Sequence, residues 1–324
     1  MRLSCAFATS METPEHVRIA ESLGYERTWL YDSPGLYPDV WVTLALAAER
    51  TSTIGLGPGV LVPSLRHPMT NAAAIATLAA LAPGRVAVAV GAGFTGRNVL
   101  GQRAMRWADV ADYVRALRAL LRGESASWEG SVIEMIHPPG FVADRPVEVP
   151  LLIAADGPKG VAVANELGDG MFSAVRPQED GPSWRAVLQV GTVLGAGESA
   201  TDDRVLDAAG HGMAVVYHAL YERGGAGVDA IPGGAAWRAA IEAVEPERRH
   251  LAIHENHLVS LTSRDREALR EGAPILLDVT LSGTAAQLRE KAARLEAAGV
   301  TELAYQPAGP DIPGELERMR DALT

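Results

Sequence analysis

The sequence predicts an α/β fold, a parallel (β/α)8 barrel with a helical insertion between its seventh and eighth strands. Three observations carry that prediction. Eight strand-like runs alternate with helix-like runs from the first residue onward, the order of a parallel barrel rather than of separate α and β domains. The 324 residues suit one barrel with an elaboration, read as a single domain over 1–324. The stretch of about 195–280 is too long for one βα connection, so it reads as an insertion that either covers the barrel mouth or decorates its side. A doubly wound sheet is the alternative architecture.

Run 3–8 is the first strand. Thr13-Pro14-Glu15 starts the first helix with a cap, an early proline and an acid in the first turn, and Gly24 stops it. Run 26–31 is the second strand, and Asp39 caps a helix over 40–50. The third strand, 53–62, is broken. Ile54, Leu56, Val60, Leu61 and Val62 are strand formers, yet Gly55, Gly57, Pro58 and Gly59 interrupt them, and such residues weaken a strand interior. An interruption of this kind marks a bulge, or a place where a ligand lies against bare backbone. An Ala-rich helix over 68–81 follows, then the fourth strand at 86–90. A long helix covers about 103–121, and 128–136 is a hairpin turning at Glu129-Gly130. Strands at 149–155 and 170–175 flank a helix at 161–167, and 186–194 is the seventh strand. The insertion is helical from about 204 to 277. Thr284 caps a helix that Gly299 stops, 303–306 is the last strand, and a short helix begins at Pro313.

Bulk properties narrow the function. Hydrophobic residues make up 48% and aromatics 5%, so Ala, Val and Leu carry the packing. A net charge of −11 argues against nucleic acid and anionic membrane as partners, while leaving room for a small anionic ligand. The single cysteine, Cys5, cannot form a disulfide within the chain and reads as a small buried hydrophobe, which fits a reducing cytoplasm. Glu12 and Glu15 precede any long apolar run, so no signal peptide is expected, and no apolar run is long enough for a bilayer.

In a barrel, chemistry sits at the carboxyl ends of the strands. That rule selects Ala8 and Thr9, Asp32 and Ser33, residues 59–63, 91–93 and 155–159, Val175, and residues 191–194 and 306–308. Gly91-Ala92-Gly93-Phe94-Thr95-Gly96 matches a dinucleotide pattern but follows the fourth strand. It also lacks an acidic strand-end residue ~20 positions on. It reads as a glycine floor for a flat ligand, or as a plain βα turn. Asp156-Gly157-Pro158-Lys159-Gly160 opens a helix, whose unpaired amides and dipole, with Lys159, suit a phosphate; the alternative is a tight turn with an exposed lysine. Asp32 either orients a hydroxyl or caps the next turn. His254-Glu255-Asn256-His257 lacks zinc-ligand spacing and any matching third ligand, so no metal is expected. It reads as a polar cluster facing the mouth or as a surface patch. His254 and His257 stand with Asp32 and Ser33 as catalytic candidates. His211 and His218 read as ordinary helix surface, while Trp184, Tyr217 and Trp237 are candidates to line a substrate pocket. Hydrolase motifs are absent.

Segments spread along the chain then carry a resemblance. They are Leu23-Gly24-Tyr25, residues 28–34 (Thr-Trp-Leu-Tyr-Asp-Ser-Pro), residues 39–45, Gly57 to Pro68, Gly84-Arg85 to Gly93, Gly157-Pro158-Lys159 and Gln306-Pro307-Ala308-Gly309. Together they resemble the luciferase-like monooxygenase superfamily, nearest its deazaflavin-dependent branch of methylenetetrahydromethanopterin reductases. The resemblance implies a TIM-like barrel with a flat cofactor at the strand carboxyl ends. It implies a non-proline cis peptide behind the ring at Gly59–Val60. It also implies a phosphate site on Gly157, Pro158, Lys159 and Gly160, with Asp32, Gly91 and Gly93 completing the cofactor set. Sugar-phosphate oxidising relatives carry Asp-His at the second strand end; Asp32-Ser33 looks like the reductase branch.

The implied cofactor is coenzyme F420, and the implied activity is hydride transfer with an unknown small organic substrate. The alternative is an FMN-dependent two-component monooxygenase, with a flavin reductase as its partner. A third reading is a cofactor-free relative whose pocket Phe94 or Met213 blocks. A homodimer is expected from the family. Gly59→Val is expected to abolish cofactor binding while the barrel still folds.

Overall fold

A computed structural model of the protein describes residues 1–174 and 181–324. Val175, the expected end of the sixth strand, lies outside the described residues.

The strands are β1 (Arg2–Phe7), β2 (Arg27–Leu30), β3 (Gly55–Pro58), β4 (Val88–Val90), β5 (Ala126–Trp128), β6 (Ser131–Ile133), β7 (Leu151–Ala154), β8 (Gly170–Ser173), β9 (Trp184–Val190) and β10 (Glu302–Gln306). β5 and β6 form the separate antiparallel hairpin, turning through Glu129 and Gly130, both at positive φ as a two-residue primed turn requires. The other eight strands make one sheet in the order β3-β2-β1-β10-β9-β8-β7-β4. Neighbours run parallel, with Cys5 beside Thr28, Leu30 beside Pro58, Val90 beside Ile153 and Ala154 beside Phe172. The two ends of this order meet through parallel bridges joining Leu56 to Val86 and Leu61 to Val90, which nearly closes the barrel.

Those two bridges explain the broken strand. From Leu56 to Leu61 is five steps, whereas from Val86 to Val90 is four. One extra residue on the β3 side is a bulge, and the glycines and proline sit inside it. The Gly59–Val60 peptide bond within the bulge is cis.

The helices are α1 (Thr13–Ser22), α2 (Val40–Arg50), α3 (Pro68–Leu81), α4 (Phe94–Asn98), α5 (Trp107–Arg122), α6 (Pro158–Leu167), α7 (Asp203–Gly224), α8 (Gly234–Glu242), α9 (Arg249–Ile253), α10 (Ser263–Val279), α11 (Ala285–Ala297) and α12 (Ile312–Leu323). Local chemistry sets their ends. Asp39 accepts from Trp41 N–H and Val42 N–H to start α2, and Gly123 in the left-handed region stops α5. Thr262 and Asp265 form a reciprocal capping box at α10. The chain gathers into two compact units, one comprising 1–97, 103–188 and 296–304, the other 98–102, 189–295 and 305–324.

In the first unit, the buried carboxylate of Glu302 accepts from the indole N–H of Trp29 at 2.8 Å and of Trp184 at 2.7 Å. Phe172 packs edge-on to Trp29, and the Arg2 and Arg27 guanidiniums lie over the Trp184 ring. Trp184, expected at a substrate pocket, is thus part of this packed cluster. Both indole N–H groups thereby gain an acceptor within the packed cluster.

In the second unit, α7 packs against α8 and α10 around Val205, Met213, Tyr217, Trp237, Leu269 and Leu276. Tyr217 and Trp237 stack with ring centroids 6.0 Å apart, and their polar atoms bond Pro232 O and Asp265 Oδ1. They are core residues rather than pocket lining. His211 and His218, expected on helix surface, are 2% and 4% exposed. The reason is that α7 is covered by neighbouring helices, so its histidines lie in a packed interior.

Neither ring nitrogen of His211 has a partner, and burial pushes its pKa down to about 4. The unfolded chain takes up a proton near the ordinary value of 6.5 that the folded chain refuses. Stability on this account is intact above about pH 6.5 and falls on acidification toward pH 4, by up to about 3 kcal/mol. His211→Leu is expected to raise stability at pH 7 by about 1–3 kcal/mol, because two unsatisfied buried nitrogens disappear. It is also expected to flatten the loss below pH 6.5. Urea unfolding of both proteins at pH 7, 5.5 and 4.5 checks this.

Candidate functional site

Within the first unit, the carboxyl ends of β2, β3, β4 and β7 carry most of the sequence-predicted site. At the end of β2, Asp32 is buried and does not stand alone. Arg66 Nη1 donates to both of its carboxylate oxygens at 2.6 Å, and Val62 N–H donates to Oδ2 at 3.5 Å. Arg66 Nη2 donates to Asp39 Oδ2 at 2.6 Å, so one guanidinium clamps two carboxylates. The backbone of Arg66 is held in turn: its carbonyl accepts from Tyr113 Oη, which accepts from Asn71 Nδ2, whose Oδ1 accepts from Trp41 Nε1. Burial pushes the Asp32 carboxyl up, and Arg66 reverses only part of that rise, so the group lies above the ordinary carboxylate value. Asp39 is more exposed. There burial raises the carboxyl, but Arg66 and the amides of Val42 and Trp41 lower it further, below the usual value. Arg66 is the residue that sequence reading missed.

The glycines at these strand ends divide by what a side chain would meet. A Cβ at Gly57 would sit 1.8 Å from Ala87 O, so glycine there permits the close approach of the neighbouring strand. A Cβ at Gly59 would lie 2.9 Å from Trp29 Cβ and 3.2 Å from its Cε3. This corrects the expectation for Gly59→Val: the added side chain would strike Trp29 in the core, so the variant reports packing before it reports any ligand. At Gly91 a Cβ would be 2.9 Å from Val60 Cγ2 and 3.0 Å from Ala154 Cβ. Gly93 has φ +78° and abuts Val62. A Cβ at Gly96 would meet Asp32 O at 3.3 Å and Ser33 Oγ at 3.5 Å. These contacts bring Asp32, Ser33, Val60, Gly91, Gly93 and Gly96 together, with Val60, Val62 and Ala154 packed against the glycines. Val60 is partly exposed between fully buried neighbours, Gly59 and Leu61.

The turn after β7 differs from all of these. Gly157 is the N-cap of α6, with extended backbone that any residue adopts, and a Cβ there would meet nothing within 4 Å. No side chain caps this helix, and Pro158 at its first position carries no N–H. The amides of Lys159 and Gly160 are left as its unpaired first-turn donors, with the exposed Lys159 side chain beside them. Gly160 has a packing reason as well, since a Cβ would lie 2.6 Å from Trp107 Cζ2. Asp156, just before this helix start, accepts from Ala174 N–H at 3.1 Å.

The remaining candidates lie elsewhere. His254 and His257 are buried in the second unit, 1% and 6% exposed, rather than on a surface patch, and His218 joins them there. Phe94, a proposed pocket block, is exposed, and Met213 belongs to the helical core of the second unit. An open groove of about 960 Å³ lies alongside α5 in the first unit, lined by Arg66, His67, Tyr113 and Trp128 among others, and contains none of the strand-end glycines. No helix among the described residues is long and apolar enough to cross a membrane.

The family model for luciferase-like monooxygenases matches residues 8–302, and the chain belongs to that family. Among its relatives, the 5,10-methylenetetrahydromethanopterin reductase of Archaeoglobus fulgidus is 30% identical over 188 residues, covering 55% of each chain. The F420-dependent hydroxymycolic acid dehydrogenase of Mycobacterium tuberculosis is 31% identical over 179 residues, covering 51% of this chain and 49% of that protein. The matched segments thus span about half the length of these relatives. The coenzyme F420-dependent tetrahydromethanopterin reductase of Methanopyrus kandleri has the same fold, with a TM-score of 0.66 over 100% of this chain and 99% of that one at 18% identity.

Proposed function

We propose that this protein is an oxidoreductase that uses coenzyme F420 to move a hydride to or from a small organic substrate. The observation that carries the reading is the pairing of a glycine patch at the bulged strand end with the uncapped, sterically open helix start at Gly157. A flat ring needs the first and a phosphate-bearing tail needs the second. When bound, the coenzyme supplies hydride transfer at a ring carbon. In this reading Gly59, Val60, Gly91 and Gly93 form the wall against which the ring rests. The amides of Lys159 and Gly160, the open space at Gly157 and the Lys159 ammonium hold the phosphate. Arg66 fixes Asp32, with Ser33 next to it, at the edge of the ring site. The protein's own contribution is then geometry and exclusion of water.

The names of the relatives support the coenzyme, and the half-length match leaves the substrate as a class only. We read the chain as one barrel domain with an insertion at about 195–280, acting as a cytoplasmic homodimer. FMN is the second reading, because the same family name covers monooxygenases and a flavin has the same flat ring and phosphate. Titration separates them. Fluorescence-monitored binding is expected to give saturable micromolar or tighter affinity for F420 and weaker affinity for FMN. Tight FMN binding with no F420 binding would overturn the proposal.

A further inference from the structure

We propose that His218, His254 and His257 form a binding site for a borderline divalent transition-metal ion of the Zn2+ type in the second unit. Three imidazoles from two separate elements converge there. α7 supplies His218, and the turn after α9 supplies His254 and His257. One ring nitrogen from each lies within 4.8 Å of the others, and all three residues are buried. His218 Nδ1 and His257 Nδ1 are 3.1 Å apart. A tetrahedral ion with Zn–N bonds of about 2.0–2.1 Å separates its ligand atoms by about 3.3 Å. One pair is therefore already at ligand spacing, and the third nitrogen needs to approach by about 1.5 Å, within reach of imidazole rotation.

Two further observations point to a ligand rather than to packing. An Nδ1–H···Nδ1 bond can satisfy His218 and His257, but the Nδ1 atom of His254, 1% exposed, is buried with no partner. Its other nitrogen, Nε2, is 2.8 Å from Glu222 Oε1. A carboxylate that accepts from one imidazole nitrogen turns the other nitrogen's lone pair toward a metal, which is the usual second partner of a metal-bound histidine. Glu222 lies one helical turn beyond His218 on α7, so a single helix face presents both a ligand and the orienting carboxylate. The backbone of the turn is also specialised. Asn256 and Leu258, on either side of His257, have φ of +55° and +58°. That region is unfavourable for a leucine. Arg264, whose charge acts on His218, is paired with Glu255 at 2.8 Å.

Three imidazoles with no carboxylate ligand suit Zn2+, Co2+ or Ni2+ rather than Mg2+ or Ca2+. The set leaves a fourth position for water, and the ion would tie α7 to the turn after α9.

The test is binding of Zn2+ and Co2+ alone to the full-length protein after chelator treatment and dialysis. One equivalent of Zn2+ at sub-micromolar Kd, and a visible Co2+ band of tetrahedral intensity at one equivalent, are expected. His254→Ala should abolish both, Glu222→Gln should weaken Zn2+ binding about 10–100-fold, and His250→Ala, at a more exposed histidine, should change neither. If His254→Ala does not fold, the wild-type stoichiometry and Co2+ spectrum decide alone. Absence of stoichiometric binding, or a Co2+ spectrum of octahedral intensity only, overturns the proposal.

Discussion

Arg66→Met is expected to destabilise the protein by about 3–5 kcal/mol at pH 7, because it leaves the Asp32 carboxylate buried without its counter-charge. In the native chain one Arg66 nitrogen reaches both oxygens of Asp32, and what remains after its removal is the Val62 N–H at 3.5 Å. Met keeps most of the aliphatic volume, so the effect isolates charge from packing. Asp39 loses the same partner but stays half-exposed and keeps its bonds to Trp41 N–H and Val42 N–H, so the start of α2 survives. The pH signature identifies the cause. A carboxyl whose folded value lies above its unfolded one gains stability as pH falls, since the folded state then binds the extra proton. Burial already places Asp32 on that side, and removing Arg66 pushes it further. The deficit of the variant should therefore shrink between pH 7 and pH 4. Arg66→Met combined with Asp32→Leu should recover much of the loss, because no buried charge remains. Equilibrium unfolding of the three proteins across this pH range measures all of it. A constant deficit at every pH would show that Arg66 acts through packing.

Gly157→Asp is expected to weaken F420 binding about 100-fold, equivalent to about 2.7 kcal/mol, with no loss of stability. The two halves of this expectation come from the same geometry. A Cβ at Gly157 meets nothing within 4 Å and the backbone is extended, so aspartate fits. It is moreover a favoured N-cap, and its carboxylate would accept from the free first-turn amides of α6. Those are the amides proposed to hold the phosphate, and the carboxylate would both occupy them and repel the anion. Gly157→Asn has the same shape without the charge and should cost about 10-fold. Fluorescence titration beside thermal unfolding reads affinity and stability separately. Unchanged affinity in Gly157→Asp would move the phosphate elsewhere.

The fold was legible because parallel barrel strands are nearly continuous apolar runs separated by helical periodicity, and all eight fall where that alternation places them. The broken strand was legible too, but its meaning was mixed. Gly57 and Gly59 are required by Ala87 and Trp29 as neighbours, a packing demand that a sequence cannot distinguish from a ligand's. Gly157 is the reverse case, a glycine with empty space around it. Arg66 was invisible because its partners lie 34 and 27 residues away, beyond any local pattern. The same limit hid His218, whose partner His257 is 39 residues distant. Histidines three apart read weakly as ligands until a helix from elsewhere supplies the third.

The central claim is that the strand ends of the first unit hold the deazaflavin ring and α6 holds its phosphate. A crystal structure of the protein soaked with coenzyme F420 tests this most directly. The expected result places the ring against the Gly59–Val60 backbone beside Gly91 and Gly93, with a phosphate oxygen within hydrogen-bond distance of the Lys159 and Gly160 amides. A coenzyme bound away from Gly59–Val60, or a phosphate that leaves the start of α6 to solvent, would contradict it.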